Sequence, residues 1–474
     1  MKQMARLLTA MIAVCSSAVA IAEPTPPSSG RSVAGEWAME AVHCTDGKML
    51  RGLIQEPREG ELELVEVVRP EGKPMYLVIR PLERDRVQRL QRLEADQRKE
   101  LQARIYQFRY RSRFEARRMD KFVLTQIAGQ GTKRWFYTGR WFTLESEADE
   151  EFTRRCIGRV EQVFRAFRQL LPSRTSAATR PHVVIYASMD AYHRQLQRIG
   201  LALENPAFYS LQDNRIVAGS DLAAFAERLA QTRQRNAEVR LQLEQVDQQM
   251  PARLATIRQQ LLHQGVSGAL VRQEMIVRRN AWNEEQQALL RELSVAERTN
   301  DVRFAEVTNR MFRRLYHEAF HAYLENHVYP RRNWSVPRWL NEGLAQVFES
   351  GRLEGDTLRI DAPNELVLAS LQRDLRARSQ FGLAELLTSD ESEFLVAHSG
   401  TGFASLRHYA YSWGLAYYLC YHQPLLDGER FQEYLRAEDR PLDLIARFEQ
   451  LVGMRLNEFE PRWREGMLQA STPR

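Results

Sequence analysis

The period of the apolar positions changes several times along the chain, and each change marks an element. In residues 36–82 short apolar runs alternate with the turn signals Asp46-Gly47, Glu59-Gly60 and Pro70-Glu71-Gly72. Leu62 and Leu64 alternate with charged residues, and Val65, Val67, Tyr76, Val78 and Ile79 favour extended backbone, which predicts a small β module shaped as a barrel. Residues 83–139 read as a helical and connecting region, because Val87, Leu90, Leu93 and Leu101 are spaced for one helix face. From 140 to 220 the order is strand, helix, strand: a strand at 141–144, a helix over 147–171 through Phe152, Val160, Val163, Phe164 and Phe167, and a buried strand at 182–186. A helix at 189–199 and a β pair over 208–218, turning at Asp213-Asn214, complete an α+β half-domain.

Residues 221–300 are polar and rich in Gln, Arg and Glu, with apolar residues at heptad spacing: Leu222, Leu229, Leu243 and Met250, interleaved with Phe225, Val239 and Val246. A turn follows at 263–268, after which Met275, Trp282, Leu289 and Ala296 restart the period. This predicts an inserted antiparallel coiled-coil hairpin, an arm about 60 Å long if each helix has about 40 residues. Pro251 is expected to interrupt the outgoing helix. Such an arm can serve self-association or partner docking, or be an insertion whose seam is satisfied by its own return helix. Residues 301–474 are mainly helical, with an apolar stripe at Leu340, Leu344, Val347 and Phe348.

The first residues change the setting. Residues 1–22 have a basic beginning (Lys2, Arg6), an apolar run and the small-residue site Ala20-Ile21-Ala22, the pattern of a secretory signal. Val14 before Cys15 is a poor fit to a lipoprotein signal, and 23–35 is a Pro/Ser linker. No other stretch is apolar enough for an integral membrane span, so the mature protein is expected to be exported: periplasmic, envelope-associated or extracellular. Formal net charge is +6 over 474 residues, too small for the electrostatic footprint of a nucleic-acid binder. In 104–118 Arg109, Arg111, Arg113 and Arg117 interleave with Tyr106, Phe108, Tyr110 and Phe114, and this reads as an amphipathic element with its arginines in water. Cys44, Cys156 and Cys420 are odd in number and far apart, which excludes a disulfide framework and zinc-finger spacing.

The residues that demand a particular chemistry lie in 314–349. His317, Glu318 and His321 form H-E-x-x-H, and on a helix positions four apart differ by only about 40°, so both imidazoles share a face. They make a two-point metal clamp with a carboxylate beside its open side. A zinc ion lowers the pKa of bound water from about 16 towards about 7, and a glutamate there can take the proton and return it to a leaving group. A third ligand is needed. His327 has the spacing of the extended motif H-E-x-x-H-x-x-G-x-x-H, but Leu324 stands where that motif has glycine, and on a continued helix His327 points about 240° away from His321. Glu342 is the better candidate, since Tyr329-Pro330 and Val336-Pro337 bracket a loop after which a second helix could return Glu342 to the first.

H-E-x-x-H followed by W-L-N-E-G-x-A resembles the gluzincin zinc metallopeptidases, and the combination more closely resembles the peptidase-MA-like family of secreted bacterial proteins. The resemblance implies a zincin-like α+β domain, a mixed sheet over the H-E-x-x-H helix with a helical lower part. His317, His321 and Glu342 would bind Zn²⁺ and Glu318 would be the catalytic base. It implies a peptide or protein substrate, held as an extra strand on the sheet edge, for which 214–220 is the candidate. The D-G-K-x-x-x-G-L-I phrase at 46–54 resembles the β module ahead of some members. Tyr409, in a phrase like the family's Y-A-x-S-W, is the first candidate to stabilise the oxyanion, followed by Tyr411 and His408. One departure is that twenty residues separate His321 from Glu342, slightly more than is usual. The alternative is an inactive metal-binding scaffold of the cell envelope that works through its hairpin; a cell-wall peptide is a further possible substrate.

Overall fold

The computed structural model describes residues 37–471 apart from 59–60, 129–132, 176–178, 202, 204, 355–356, 361, 378–380, 390–393, 395–402, 427 and 437–442. The expected signal and linker lie outside the described residues, and the sequence from Trp37 onward forms one unit.

The amino-terminal module is an antiparallel five-stranded sheet of β1 (Glu40–Cys44), β2 (Met49–Gln55), β3 (Leu62–Val68), β4 (Tyr76–Leu82) and β5 (Val87–Gln91), in the order β4-β3-β2-β1-β5. It therefore runs past the expected boundary at 82. Val87 and Leu90 fit a helix by spacing, but the second edge of β1 needs hydrogen-bond partners, and Val42 opposite Leu90 supplies that pairing. The helix begins later, as α1 (Ala95–Arg109), followed by α2 (Arg111–Asp120). Leu101 and Ile105 of α1 pack on Leu53, Val65, Val67 and Met75 of the sheet. On α2 no side chain is buried, and Arg113 lies over the ring of Tyr110, in keeping with arginines that face water.

The larger sheet has six strands in the order β10-β11-β9-β8-β7-β6. These are β6 (Thr125–Ala128), β7 (Lys133–Thr138), β8 (Thr143–Ser146), β9 (His182–Tyr186), β10 (Ala207–Ser210) and β11 (Arg215–Gly219). β9 is parallel to both its neighbours and the other pairings are antiparallel. Two of these strands come from 83–139, so that region is not merely connecting. Helices α3 (Glu150–Leu170) and α4 (Met189–Arg198) follow β8 and β9. The edge expected at 214–220 is an interior strand instead. β11 carries Ile216, Val217 and Ala218, all buried, and a strand so continuously apolar is stabilised between two neighbours; the shorter β10 takes the outside.

The hairpin is formed by α5 (Leu222–His263) and α6 (Gly268–Tyr323). Its return helix does not end near residue 300 but continues through H-E-x-x-H, so arm and motif are one 56-residue helix. Pro251 does not interrupt α5. A proline there costs about 3 kcal/mol, and the seam around it is cross-linked by polar contacts. Arg240 forks onto Glu297 at 3.0 and 2.7 Å, and Asp247 faces Arg279 and the indole N–H of Trp282, each at 3.0 Å. Ile276 and Val295 are exposed on the arm. No helix among the described residues is long and apolar enough to cross a membrane.

After α6 come α7 (Arg338–Glu349), the two-stranded β12 (Arg352–Glu354) and β13 (Thr357–Arg359), α8 (Glu365–Arg376), α9 (Leu383–Thr388) and α10 (Phe403–Tyr421). Three further helices, α11 (Glu429–Leu435), α12 (Leu444–Val452) and α13 (Leu456–Gln469), finish the fold. One apolar core runs from Phe142 and Phe164 through Phe320 and Phe348 to Trp413 and Trp463. Gly343 lets α7 and α10 touch: a Cβ there would lie 2.3 Å from the Ser412 carbonyl oxygen. The β module is latched to the β12–β13 hairpin. Arg69 and Arg359 flank Glu354 at 2.9 and 3.3 Å, and Arg352 and Arg359 donate to the carbonyls of Gly72 and Lys73.

Candidate metal centre

Two helical stripes face each other. On α6, Arg314, His317, Glu318 and His321 recur at i, i+3, i+4 and i+7, and on α7 Arg338, Asn341, Glu342 and Glu349 share a side in the same way. The helices run in opposite directions here, since His317 meets Glu342 and Glu349 while His321 meets Asn341 and Glu342. Nε2 of His317 lies 3.3 Å from Oε2 of Glu342, and Nε2 of His321 lies 3.5 Å from Oε1. One ligand atom from each of the three residues falls within 4.8 Å of the others, a grouping that could hold a metal ion.

The other ring nitrogens are committed. Nδ1 of His317 is 2.9 Å from Oε2 of Glu349, and Nδ1 of His321 is 2.9 Å from Oδ1 of Asn341. A hydrogen on Nδ1 satisfies both acceptors, and in the neutral rings each Nε2 lone pair is then aimed at the cluster, the usual outer support of metal-binding histidines. His317, Glu318 and Glu342 are each no more than 3 % exposed.

The return from α6 to α7 explains the long spacing. A π-helical turn, Leu324–Val328, ends α6, and the His327 carbonyl accepts from the amides of Arg174 and Thr175. The following loop is pinned where Ser335 N–H donates to the Leu435 carbonyl, and Pro337 caps α7.

The electrostatics are dominated by burial and by closely set opposite charges. Burial and then Arg314 push the His317 ring down, but its hydrogen bonds to Glu342 and Glu349 outweigh both and raise it to about 9. Burial lowers His321. For Glu342, burial alone would raise the carboxyl, yet His321, His317 and Arg338 hold it well below the usual carboxylate range. Glu349 behaves likewise: burial opposes, and the bond to His317 prevails, lowering it. Glu318 has Nη2 of Arg314 2.7 Å from Oε1, and its Oε2 accepts from the amide of Tyr209 on edge strand β10 at 2.8 Å. Arg338 Nη2 stands 2.9 Å from Oε1 of Glu342.

The fold thus brings together His317, His321 and Glu342, with Glu318 beside them. His327 is elsewhere: its ring packs edge-on to Trp141 and Phe164 at 5.3 and 6.1 Å, and burial pushes it down to about 4. Of the three oxyanion candidates, Tyr409 lies near the cluster. Burial raises its phenol first, and Glu342 and Glu318 add to this, partly offset by Arg338 and Arg314. Tyr411 is fully buried and donates to Asp374 at 2.9 Å, tying α10 to α8, while His408 packs against Phe381 and Phe394. Motif reading passed over Arg314, Arg338, Asn341 and Glu349. Helical arithmetic could have found them, four residues before Glu318 and Glu342, and one before and seven after Glu342. The Tyr209 amide had no such signal, because its place depends on which strand forms the sheet edge.

A family model described as "Protein of unknown function (DUF1570)" matches residues 313–443. The match begins next to Arg314 and takes in both stripes, the β12–β13 hairpin and Tyr409, while leaving out both sheets of the amino-terminal half and almost all of the long hairpin. No curated protein matches this sequence.

Proposed function

We propose that this protein is an exported zinc-dependent peptidase of gluzincin type. The supporting observation is the convergence of His317 Nε2, His321 Nε2 and the Glu342 carboxylate, with Nδ1 of each histidine held by Glu349 or Asn341. The donor set fits zinc: two imidazoles and one carboxylate, with His317 and Glu342 buried, His321 partly so, and outer partners that fix the histidine tautomers. Bound there, zinc would supply Lewis acidity for an amide carbonyl and make water a nucleophile near neutral pH. Glu318, held between Arg314 and the Tyr209 amide, would receive the proton and pass it to the leaving amine. The Tyr409 hydroxyl would donate to the oxyanion. Strand β10, the edge strand beside Glu318, would align an extended substrate. A mixed sheet beside the motif helix and a helical carboxy-terminal part are what a zincin-like fold requires.

The reading is tested by metal content of the purified full-length protein beside Glu318→Gln, both assayed on a mixed peptide library. Near-stoichiometric zinc in both, with cleavage by the wild type alone, is the expected result. Absence of zinc after remetallation would end the proposal.

Two further outcomes are expected. His317 is protonated in the metal-free site at pH 7, because its value is raised to about 9, whereas a ligand imidazole must be neutral. The loaded form therefore binds one proton fewer, so apparent zinc affinity should rise about tenfold per pH unit between pH 7 and pH 9 and flatten above. Calorimetric titration at pH 7 in buffers of different ionisation enthalpy should show about one proton released; none released would contradict this protonation state. Replacing Glu349 with Gln weakens the support of His317 and should lower zinc affinity by about 10- to 100-fold in competition with a chelator.

A further inference from the structure

The arm carries a second heptad stripe that its own hairpin does not use. Helix α6 grips α5 through Arg279 and Trp282, which meet Asp247, and through Glu297, which meets Arg240. At 100° per residue Val277, Val295 and Val302 stand about 140–160° round the helix from all three of those contacts. Leu270, Val277, Val295 and Val302 are each more than half exposed. They belong to two series of period seven, 270, 277, 284, 291, 298 and 274, 281, 288, 295, 302, which alternate along the helix as the a and d positions of a coiled coil do.

This stripe is complementary to its own reverse. With a second copy laid antiparallel so that Leu270 faces Val302, Val277 faces Val295, Glu284 and Arg291 face Ala288 and Ala281, and Arg298 faces Glu274. Apolar side chains then meet towards both ends, and the alanines in the middle leave room for Glu284 to reach Arg291 of the second copy. The ion pairs within the arm take Arg233, Arg240, Arg278 and Arg279, whereas Glu284, Arg291 and Arg298 enter none among the described residues. A parallel pairing would instead set Glu284 on Glu284 and Arg291 on Arg291.

The charge along the arm selects the same direction. Around the turn, between 248 and 280, five arginines stand against one acidic residue. Nearer the root, in 222–247 and 281–306, ten acidic residues stand against seven arginines. Antiparallel arms lay a basic tip on an acidic root, and parallel arms lay like on like. An anionic lipid surface would suit the tip, but it has no use for a stripe that runs on to Val302 at the acidic end. The lengths also agree. In this register the turn at 264–267 falls opposite 305–308, short of Met311, the first residue of α6 buried in the main core.

We infer that the arm is a homodimerisation element, in which α6 of two copies pairs antiparallel about a two-fold axis level with Gln286. The pairing is independent of the peptidase reading and sets the two candidate metal centres at opposite ends of the joined arms.

The full-length protein should sediment as a reversible dimer across a dilution series. Val277→Asp changes an exposed position, so the monomer keeps its packing, while symmetry places the new charge in two layers of the pair. It should raise the dimer dissociation constant by about a hundredfold. Arg291→Glu should weaken the dimer by about tenfold, and Glu284→Arg combined with Arg291→Glu should restore it. Direction and register are read by mild oxidation of cysteine variants beside the native chain. Val277→Cys and Val295→Cys on differently tagged chains should cross-link to each other and neither to itself. In this register the two copies of either residue are about 27 Å apart, and a disulfide needs Cα atoms within about 7 Å. Self-cross-linking of Val277→Cys overturns the antiparallel arrangement, and a dimer indifferent to Val277→Asp overturns this interface. A native chain that stays monomeric overturns the inference, whether its arm then binds phosphatidylglycerol vesicles, another protein or neither.

Discussion

Glu318→Gln should lower kcat by about 10²- to 10⁴-fold while the protein still takes up zinc at wild-type stoichiometry. The side chain is not a member of the His317, His321, Glu342 group, so metal retention follows from its position. Loss of turnover follows from its chemistry, since an amide of the same shape cannot accept the proton. The substitution also has a structural consequence that can be checked separately. Both oxygens of Glu318 now face donors, the Arg314 guanidinium and the Tyr209 amide. A glutamine offers one acceptor oxygen and turns an NH₂ group towards one of those donors, which should cost about 1–3 kcal/mol in chemical denaturation. Glu318→Ala removes the NH₂ clash but leaves two donors unanswered. If both variants lose activity to the same extent despite different stabilities, the effect belongs to proton transfer. Activity within tenfold of wild type in Glu318→Gln would remove Glu318 from the mechanism.

What the sequence made legible follows from the range over which each signal acts. The H-E-x-x-H clamp, Glu342 and the existence of the hairpin are written in helical spacing, which depends on neighbours within a few turns. The strand at 182–186 coincides with its observed bounds for a similar reason: five consecutive residues, His-Val-Val-Ile-Tyr, fit a buried parallel position and little else. The misreadings involve partners far along the sequence. Val87–Gln91 became a strand because β1 had an unpaired edge, and β6 and β7 joined a sheet whose other strands start at residue 143. The β10–β11 hairpin was expected, but which of its strands faced solvent depended on pairing with β9. Gly343 shows both ranges at once. Its place in W-L-N-E-G was visible, while the reason for it, contact with the Ser412 carbonyl on α10, was not.

Removing the carboxylate of Glu354 should destabilise the protein by about 3–5 kcal/mol, although Glu354 touches neither the metal centre nor edge strand β10 of the larger sheet. Glu354 lies between Arg69 of the β module and Arg359 of β13, and all three side chains are at most 15 % exposed. Glu354→Ala removes the carboxylate that stands between two largely buried guanidiniums, and their repulsion adds to the desolvation already incurred. Glu61→Gln serves as the contrast. Its ion pair with Arg58 is open to solvent on both sides, so the change should stay within about 0.5 kcal/mol. Replacing the whole triad by Met, Leu and Met should restore most of the stability, because the two guanidiniums are removed together with the carboxylate between them. Urea denaturation of the four proteins makes the comparison, and a loss below about 1 kcal/mol in Glu354→Ala would show the interface to be hydrated. The same variant connects the module to the site. β12 begins three residues after Glu349, whose carboxylate holds Nδ1 of His317. Undocking the module frees that hairpin, and with it the end of α7 that aims one of the metal-facing imidazoles. Zinc affinity should therefore fall in Glu354→Ala and return in the apolar triad, a pattern that a purely local loss of stability in the β module would not produce.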